Sequence, residues 1–400
     1  MSWVTTTIGE HCTVTSSKRF HLSERSSSGI PFYCSKEIIQ KCKGEEVNEC
    51  DYISEDFYNE VAEKYGVPQV GDLLVTTRGT IGIPYLYQIS DKFYFADGNL
   101  TWIKDFKDTL VPRYLYYWFL SHEGQKKVDA IAKGTAQKAV PIAGIKTLEF
   151  KLPPYDIQRH IADILSAHDN LIENNQKQIR LLEEAAQRLY KEWFVDLHFP
   201  GYETTSIVDG VPEEWTTGIL EDIVVNSGKS VNKESRMDYN YYLPIDCLPK
   251  KSLGYVETND IELAESSLVS FDIGDILFGA MRPYFHKVVI ARDKGLTRST
   301  CFVINARIQK MWSFVSMLLF SNATVDYATQ ISVGTTMPYV RWKDMRNMPV
   351  LIPDIGLAEK FDVLIKPMLD KIGIHAKQII ELKQARDCLL PKLMSGEIEV

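Results

Sequence analysis

Hydrophobic residues in two stretches of the chain recur in the three- and four-residue steps of a helix, and the second stretch repeats the first at an offset of 200 residues. After Pro153-Pro154 no Pro or Gly interrupts from Asp156 to Phe194, and apolar positions fall on two interleaved heptad rows. One row is Leu165, Ile172, Ile179, Ala186 and Trp193; the other is Ile161, His168, Asn175, Leu182 and Leu189. After Pro353 the equivalent rows are Ile365, Ile372, Ile379, Arg386 and Leu393, and Phe361, Met368, His375, Leu382 and Leu389. Two long helices with matching seams need partners, and each is the nearest partner of the other. The expected interface joins Ile161, Leu165, Ile172, Ile179, Leu182 and Leu189 to Phe361, Ile365, Ile372, Ile379, Leu382 and Leu389. His168, Asn175 and His375 interrupt the seam, which predicts a polar pair fixing register or orientation. Pro367 and Gly373 predict a loosened or kinked start to the second helix. Pro391 predicts a bend or end near Leu390, leaving that helix the less regular of the two.

The stretches before the helices follow a different rhythm. Short β-rich runs, Asp72 to Thr77 and Asp275 to Phe278, are accompanied by amphipathic segments, Pro112 to Ser121 and Met311 to Ser321, so the expected fold is α+β, twice. The repeat reaches into these segments. Gly134-Thr135 matches Gly334-Thr335, Pro153 matches Pro353, and Lys177-Gln178-Ile179 matches Lys377-Gln378-Ile379. Upstream the register slips by a few residues, as surface insertions permit: Val70-Gly71-Asp72-Leu73-Leu74 answers Ile273-Gly274-Asp275-Ile276-Leu277, and Trp3 answers Trp215. The organisation read is a globular segment over residues 1–152, a helix over 153–198, a second globular segment over 199–352 and a helix over 353–400. Antiparallel helices and a pseudo-two-fold axis between the copies are expected. Gly79, Gly82, Pro84, Gly279 and Pro283 mark loops directly after the strands, where recognition side chains usually sit.

Composition narrows the function. An apolar share of 45% supports folded cores. The opening residues lack the pattern of a signal peptide, and the longest apolar run, around Trp312 to Phe320, is short for a membrane span, so a cytoplasmic protein without a membrane partner is expected. Seven cysteines without CxxC pairs read as reduced thiols, and the eight histidines form no metal-binding pattern. A net charge of -8 argues against broad phosphate binding. Residues 1–150 carry 17 basic and 19 acidic side chains, and residues 201–350 carry 15 and 18, so any nucleic-acid surface is a local patch.

No catalytic motif holds. Pro153-Pro154-Tyr155 follows Leu152, which cannot accept a hydrogen bond from an adenine amino group. Gly228-Lys229-Ser230 lacks the earlier glycine of a phosphate-binding loop, with Ile223 in its place. Pro353-Asp354 with Glu359 and Lys360 aligns with the plain linker of the first copy. The chain is expected to be no enzyme and to need no metal or cofactor of its own.

Particular strings carry a resemblance. Pro153-Pro154 with Gln158-Arg159, Ile161-Ala162 with Ile164-Leu165-Ser166 and Asp169, and Leu389-Leu390-Pro391-Lys392-Leu393-Met394-Ser395-Gly396-Glu397-Ile398 closely resemble the DNA-specificity subunit of type I restriction-modification systems. Leu189-Tyr190-Lys191-Glu192-Trp193-Phe194 and Val211-Pro212-Glu213-Glu214-Trp215 are also similar to that family's pattern, and Ala358 in place of a second Gln158 is a small departure. The resemblance implies two target-recognition domains, each reading half of a split double-stranded DNA site, with the paired helices as a ruler. It implies no catalysis by the chain itself. Two methyltransferase subunits using S-adenosylmethionine on adenine N6, and two ATP-driven motor-nuclease subunits, are the implied partners.

Some 38 helical residues at about 1.5 Å each span roughly 57 Å, which bounds the half-site separation to about one to one and a half DNA turns. Arg and Lys at base edges and Asn or Gln facing adenine are the expected tools. The loops offer Thr77, Arg78, Gln137 and Lys138 in the first copy, and Arg282, Lys287, Arg341 and Lys343 in the second. Divergence of the copies in these regions predicts an asymmetric site. Two other readings remain: a methyltransferase or nuclease relative, against which the missing motifs weigh, and a protein-only coiled-coil scaffold, against which the two globular repeats weigh.

Overall fold

The computed structural model describes residues 3–44, 47–134 and 138–400. Its contacts divide the chain into two units: Met1–Leu171 with Leu382–Val400, and Ile172–Glu381. Each unit therefore holds one globular segment, part of the first long helix and part of the second.

Within the first unit, the opening strand Val4–Thr7 pairs antiparallel with Glu149–Leu152. A four-stranded antiparallel sheet runs in the order Thr13–Thr15, Leu100–Lys104, Leu73–Thr76 and Pro84–Leu86. A smaller sheet joins Asp51–Ile53, Ile30–Tyr33 and Tyr94–Phe95, the last pair parallel. The second unit repeats the plan. Thr216–Ile219 pairs with Pro349–Ile352, and a four-stranded antiparallel sheet runs Val224–Asn226, Cys301–Ala306, Ile276–Gly279 and Val288–Ile290. A three-stranded sheet of Lys229–Val231, Leu268–Phe271 and Gly295–Arg298 takes the place of the smaller one. The expected α+β repeat is thus present, with the predicted runs near Asp72 and Asp275 inside the central strands.

The recurring Gly-Asp motif has a local cause. Gly71 and Gly274 adopt positive φ, at 93° and 86°, closing the turn that enters each central strand. Asp72 and Asp275 are buried, and each accepts the amide three residues back, from Gln69 and Asp272, at 2.8 Å. Trp102 Nε1 donates to Asp72 at 2.8 Å, and Asn305 Nδ2 donates to Asp275 at 2.8 Å. A side chain without this acceptor would leave the turn amide unpaired.

The first long helix spans Tyr155–Tyr190 and widens into a π-turn over Lys191–Val195. The second spans Ile355–Ser395 without a break. The helix therefore does not end at Pro391, as the sequence allowed, and runs on through Pro367 and Gly373. Pro367 and Pro391 are both exposed, as are Val363 and Asp387 four residues earlier, so carbonyls that lose a helical partner face water. Buried Ile365, Ile372, Ile379 and Leu393 hold the opposite face. The irregularity falls instead at the end of the first helix, where Trp193 and Phe194 turn into an aromatic cluster. Phe194 lies 4.8 Å from both Phe314 and Phe361, centroid to centroid.

Much of each seam is buried, one unit at a time. In the first unit Ile161 and Leu165 share a core with Leu390, Leu393 and Met394, and Arg386 Nη1 donates to Asp169 at 2.7 Å. In the second, Asn175 and His375 form the expected polar pair, Oδ1 to Nδ1 at 2.7 Å, and Ile172, Ile179, Phe361, Ile365 and Ile372 are buried. Leu182, Leu189, Leu382 and Leu389 are only partly buried, at the margins of the seam.

Candidate nucleic-acid interface

In each copy the central strand leads into a loop, and a hairpin from later in the chain closes onto it. In the first copy Thr77 N donates to Asn99 O and Val140 N donates to Thr77 O, both at 2.8 Å. Gly79 N donates to Lys138 O at 3.3 Å, while Lys133 and Ala139 exchange two bonds of 2.9 Å. In the second copy Ala280 N donates to Thr300 O at 2.8 Å, Val340 N to Ala280 O at 2.9 Å, and Arg282 N to Pro338 O at 2.7 Å. Val333 and Tyr339 exchange two bonds of 3.0 Å. The backbone frame is the same, bond for bond, and main-chain groups build it, so side chains can change without dismantling it.

Candidates from the sequence divide against this frame. Thr77 is only 4% exposed and serves through its backbone. Arg78 is exposed, as is Lys138, whose ammonium lies 2.9 Å from Asp129. Gln137 lies outside the described residues. Arg282 sits in the left-handed region at φ 49°, and its guanidinium Nη2 reaches Thr336 O at 3.4 Å. Lys287 turns inward, donating to Ile245 O at 2.7 Å, so its role is to anchor a loop. Arg341 Nε binds Asp344 at 2.6 Å across a short helix, and Lys343 stands exposed beside it. The frame brings Thr77, Arg78 and Lys138 together in one copy, and Arg282 with the hairpin preceding Arg341 in the other. Lys287 is directed away from it.

Sequence reasoning missed the apolar members of this face. Tyr284, Met337 and Tyr339 are each about half exposed beside Arg282, a combination suited to packing on bases and sugars. Arg282 and His286, both at positive φ, bracket the single turn Pro283–Phe285 and hold Tyr284 outward. Such strain in a non-glycine residue persists where surrounding structure over-determines it. His286 is buried, its ring nitrogen bonded to Phe320 O at 2.9 Å, and that burial pushes its pKa down. The repeat offset linking Ala139 to Tyr339 was the signal available for finding this face.

A second contact lies between globular segment and helix within the second unit. Glu183 on the first long helix is buried, and its Oε1 accepts both Ser252 Oγ and Leu253 N at 2.7 Å. Burial pushes its carboxyl up to about 7 against the lowering effect of these bonds. Among the described residues no group of three or more His, Cys, Asp or Glu side chains could hold a metal ion, and no helix is long and apolar enough to cross a membrane.

The family model described as the type I restriction modification DNA specificity domain matches residues 1–184 and again 212–384. The specificity subunit of the type I restriction enzyme MjaIX of Methanocaldococcus jannaschii is 30% identical over 352 residues, covering 82% of this chain and 78% of that one. The putative MjaX specificity subunit of the same organism is 25% identical, over 86% and 82% of the two chains. In fold, the chain is similar to the crystal structure of the type I restriction-modification S subunit from M. genitalium, with a TM-score of 0.62 at 16% identity, covering 98% and 96% of the two chains.

Proposed function

Since the chain belongs to the family of type I restriction-modification DNA specificity subunits, we propose that each copy reads one half of a split, asymmetric double-stranded DNA site through its strand loop and closing hairpin. Residues 1–152 and 199–352 are the two reading domains, and residues 153–198 and 353–400 set the spacer between half-sites. The observation carrying this reading is the shared main-chain frame under unlike side chains: Arg78 and Gly79 in one copy stand where Met281 and Arg282 stand in the other. Equal frames with different surfaces suit two half-sites of different sequence. The chain contributes no chemistry. Two adenine methyltransferase subunits dock on the helical region, and motor-nuclease subunits join them for cleavage.

The acidic balance of the chain favours a division in which the methyltransferase partners make most phosphate contacts. Target DNA should bind weakly to the chain alone and far more tightly with methyltransferase present; equal affinity in a mobility-shift titration rejects this. Methylation-sensitive sequencing should return a bipartite motif with a constant spacer. Inserting one heptad into each helix should lengthen that spacer by about three base pairs, from about 10 Å of added helix. An unchanged spacer rejects the ruler.

A further inference from the structure

Beside the reading loop of the first copy lies a cleft of about 300 Å³ lined by Ser16, Arg78, Thr101, Lys133 and Ile142, with Leu100 and Val140 in its wall. Two residues lining it, Ser16 and Thr101, carry hydroxyls that are buried without a hydrogen-bond partner, and Thr101 is only 1% exposed. A buried hydroxyl left unpaired costs about 1 to 3 kcal/mol, and a turn of either side chain toward the cleft with a bond to a ligand there would remove that cost. Neither Arg78 nor Lys133 has an ion-pair partner among the described residues.

The second copy is an internal control. Strand registers place Gly228 at the position of Ser16, Met281 at Arg78 and Phe302 at Thr101, while the 200-residue offset places Val333 at Lys133 and Trp342 at Ile142. Each hydroxyl and each cation of the cleft is replaced by an apolar residue or glycine. Phe302 and Trp342 stand edge to face, 5.3 Å between centroids. The frame therefore does not require the polar set, and only the first copy carries it.

We propose that this cleft seats a single unstacked nucleotide, its base against Leu100, Val140 and Ile142, its edge bonded to Ser16 and Thr101, and its phosphate at Arg78 and Lys133. A volume at the lower end of small-ligand sites fits one nucleotide. Unstacking a base from the duplex costs a few kcal/mol, which hydrogen bonds to its edge recover only when the edge matches, so the seat adds selectivity to the first half-site. The proposal rests on the half-site reading above.

The four deoxynucleoside 5′-monophosphates and inorganic phosphate are titrated separately into the full-length chain, followed by saturation-transfer NMR and calorimetry. At least one nucleotide should bind at least about tenfold more tightly than inorganic phosphate, a gap of about 1.4 kcal/mol. Thr101→Val should weaken that nucleotide about tenfold while leaving the melting temperature equal or higher, because it removes an unpaired hydroxyl. Ile142→Trp, copying the second copy, should abolish binding; should it fail to fold, Thr101→Val carries the test. Absence of nucleotide binding, parity with phosphate, or an unaffected Thr101→Val protein overturns the proposal. Sequence-selective DNA binding by the wild-type chain with methyltransferase is measured in parallel. If it persists while nucleotides fail to bind, the cleft proposal falls and the half-site reading stands; if it is absent, the reading itself falls.

Discussion

The loop after the central strand turns on Gly79 in the first copy and on Arg282 in the second, and both residues take a positive φ, 77° and 49°. Glycine adopts that conformation without penalty; an arginine pays about 1 kcal/mol for it. Both amides nevertheless make the same bond to the hairpin, to Lys138 O and Pro338 O. The difference teaches that this fold spends nothing on side-chain identity at the loop. The frame is held by main-chain bonds and by the cores beneath, so the side chains at this loop can change at the cost of local strain alone. The second copy placed a guanidinium and half-exposed aromatics there, and the first kept a flat glycine turn beside a polar cleft.

The largest effect separating the copies should come from the helix pair beneath the loops. Ser121 and Ser321 cap equivalent helices, accepting Gly124 N at 3.1 Å and Thr324 N at 3.2 Å. A Cβ on Gly124 would lie 2.0 Å from Trp118 O, whereas Thr324 occupies the same place and its hydroxyl donates to Leu318 O at 2.6 Å. Gly124→Ala should destabilise the first unit by about 3 kcal/mol in chemical denaturation, and Thr324→Ala should cost the second only about 1 kcal/mol. Equal losses would show that the two copies pack alike here.

Glu183 should give the next effect, through pH. Its folded carboxyl titrates near 7 against an ordinary value of 4.5. A raised acid pKa means that the folded state holds its proton longer than the unfolded one, so this contribution is complete below about pH 4.5 and is lost as pH rises through 7. Glu183→Gln keeps an oxygen for Ser252 and Leu253 and removes the charge. It should stabilise the second unit by about 3 kcal/mol at pH 8 and by almost nothing at pH 4.5, read from melting temperatures. A constant difference across that range would rule out the buried charge as the cause.

Smaller changes sharpen the comparison at the loops. Arg78→Ala should weaken target binding by about 1 to 2 kcal/mol without moving the melting temperature, as expected of an exposed cation reading DNA. Arg282→Gly should raise stability by about 1 kcal/mol by relieving the positive φ, while relaxing selectivity at the second half-site alone. Loss of selectivity at both half-sites would contradict one domain reading one half.

Much of the architecture was legible in the chain because it depends on patterns that local chemistry imposes. Heptad rows located both helices and their buried faces, and the polar pair of Asn175 with His375 followed from its place in the seam. The Gly-Asp motif marked both central strands because its turn needs a positive φ and a carboxylate acceptor. Pro391 misled as a helix end because a helix's tolerance for proline depends on whether the freed carbonyl faces water. Exposure is a property of packing, and Pro367 and Pro391 gained it from the faces their neighbours bury.

The site divided along the same line. Sequence alone marked the loops after the central strands as the candidates for recognition, and it named Arg78 and Arg282 there. Only the tertiary structure decided that Thr77 and Lys287 turn inward, that Tyr284, Met337 and Tyr339 stand outward, and that Ser16 and Lys133, distant in the chain, line one cleft with Thr101. Periodicity encodes which face of an element is buried. Which loops meet is set by hydrogen bonds between segments far apart in sequence, and those bonds run through main-chain atoms that every residue shares.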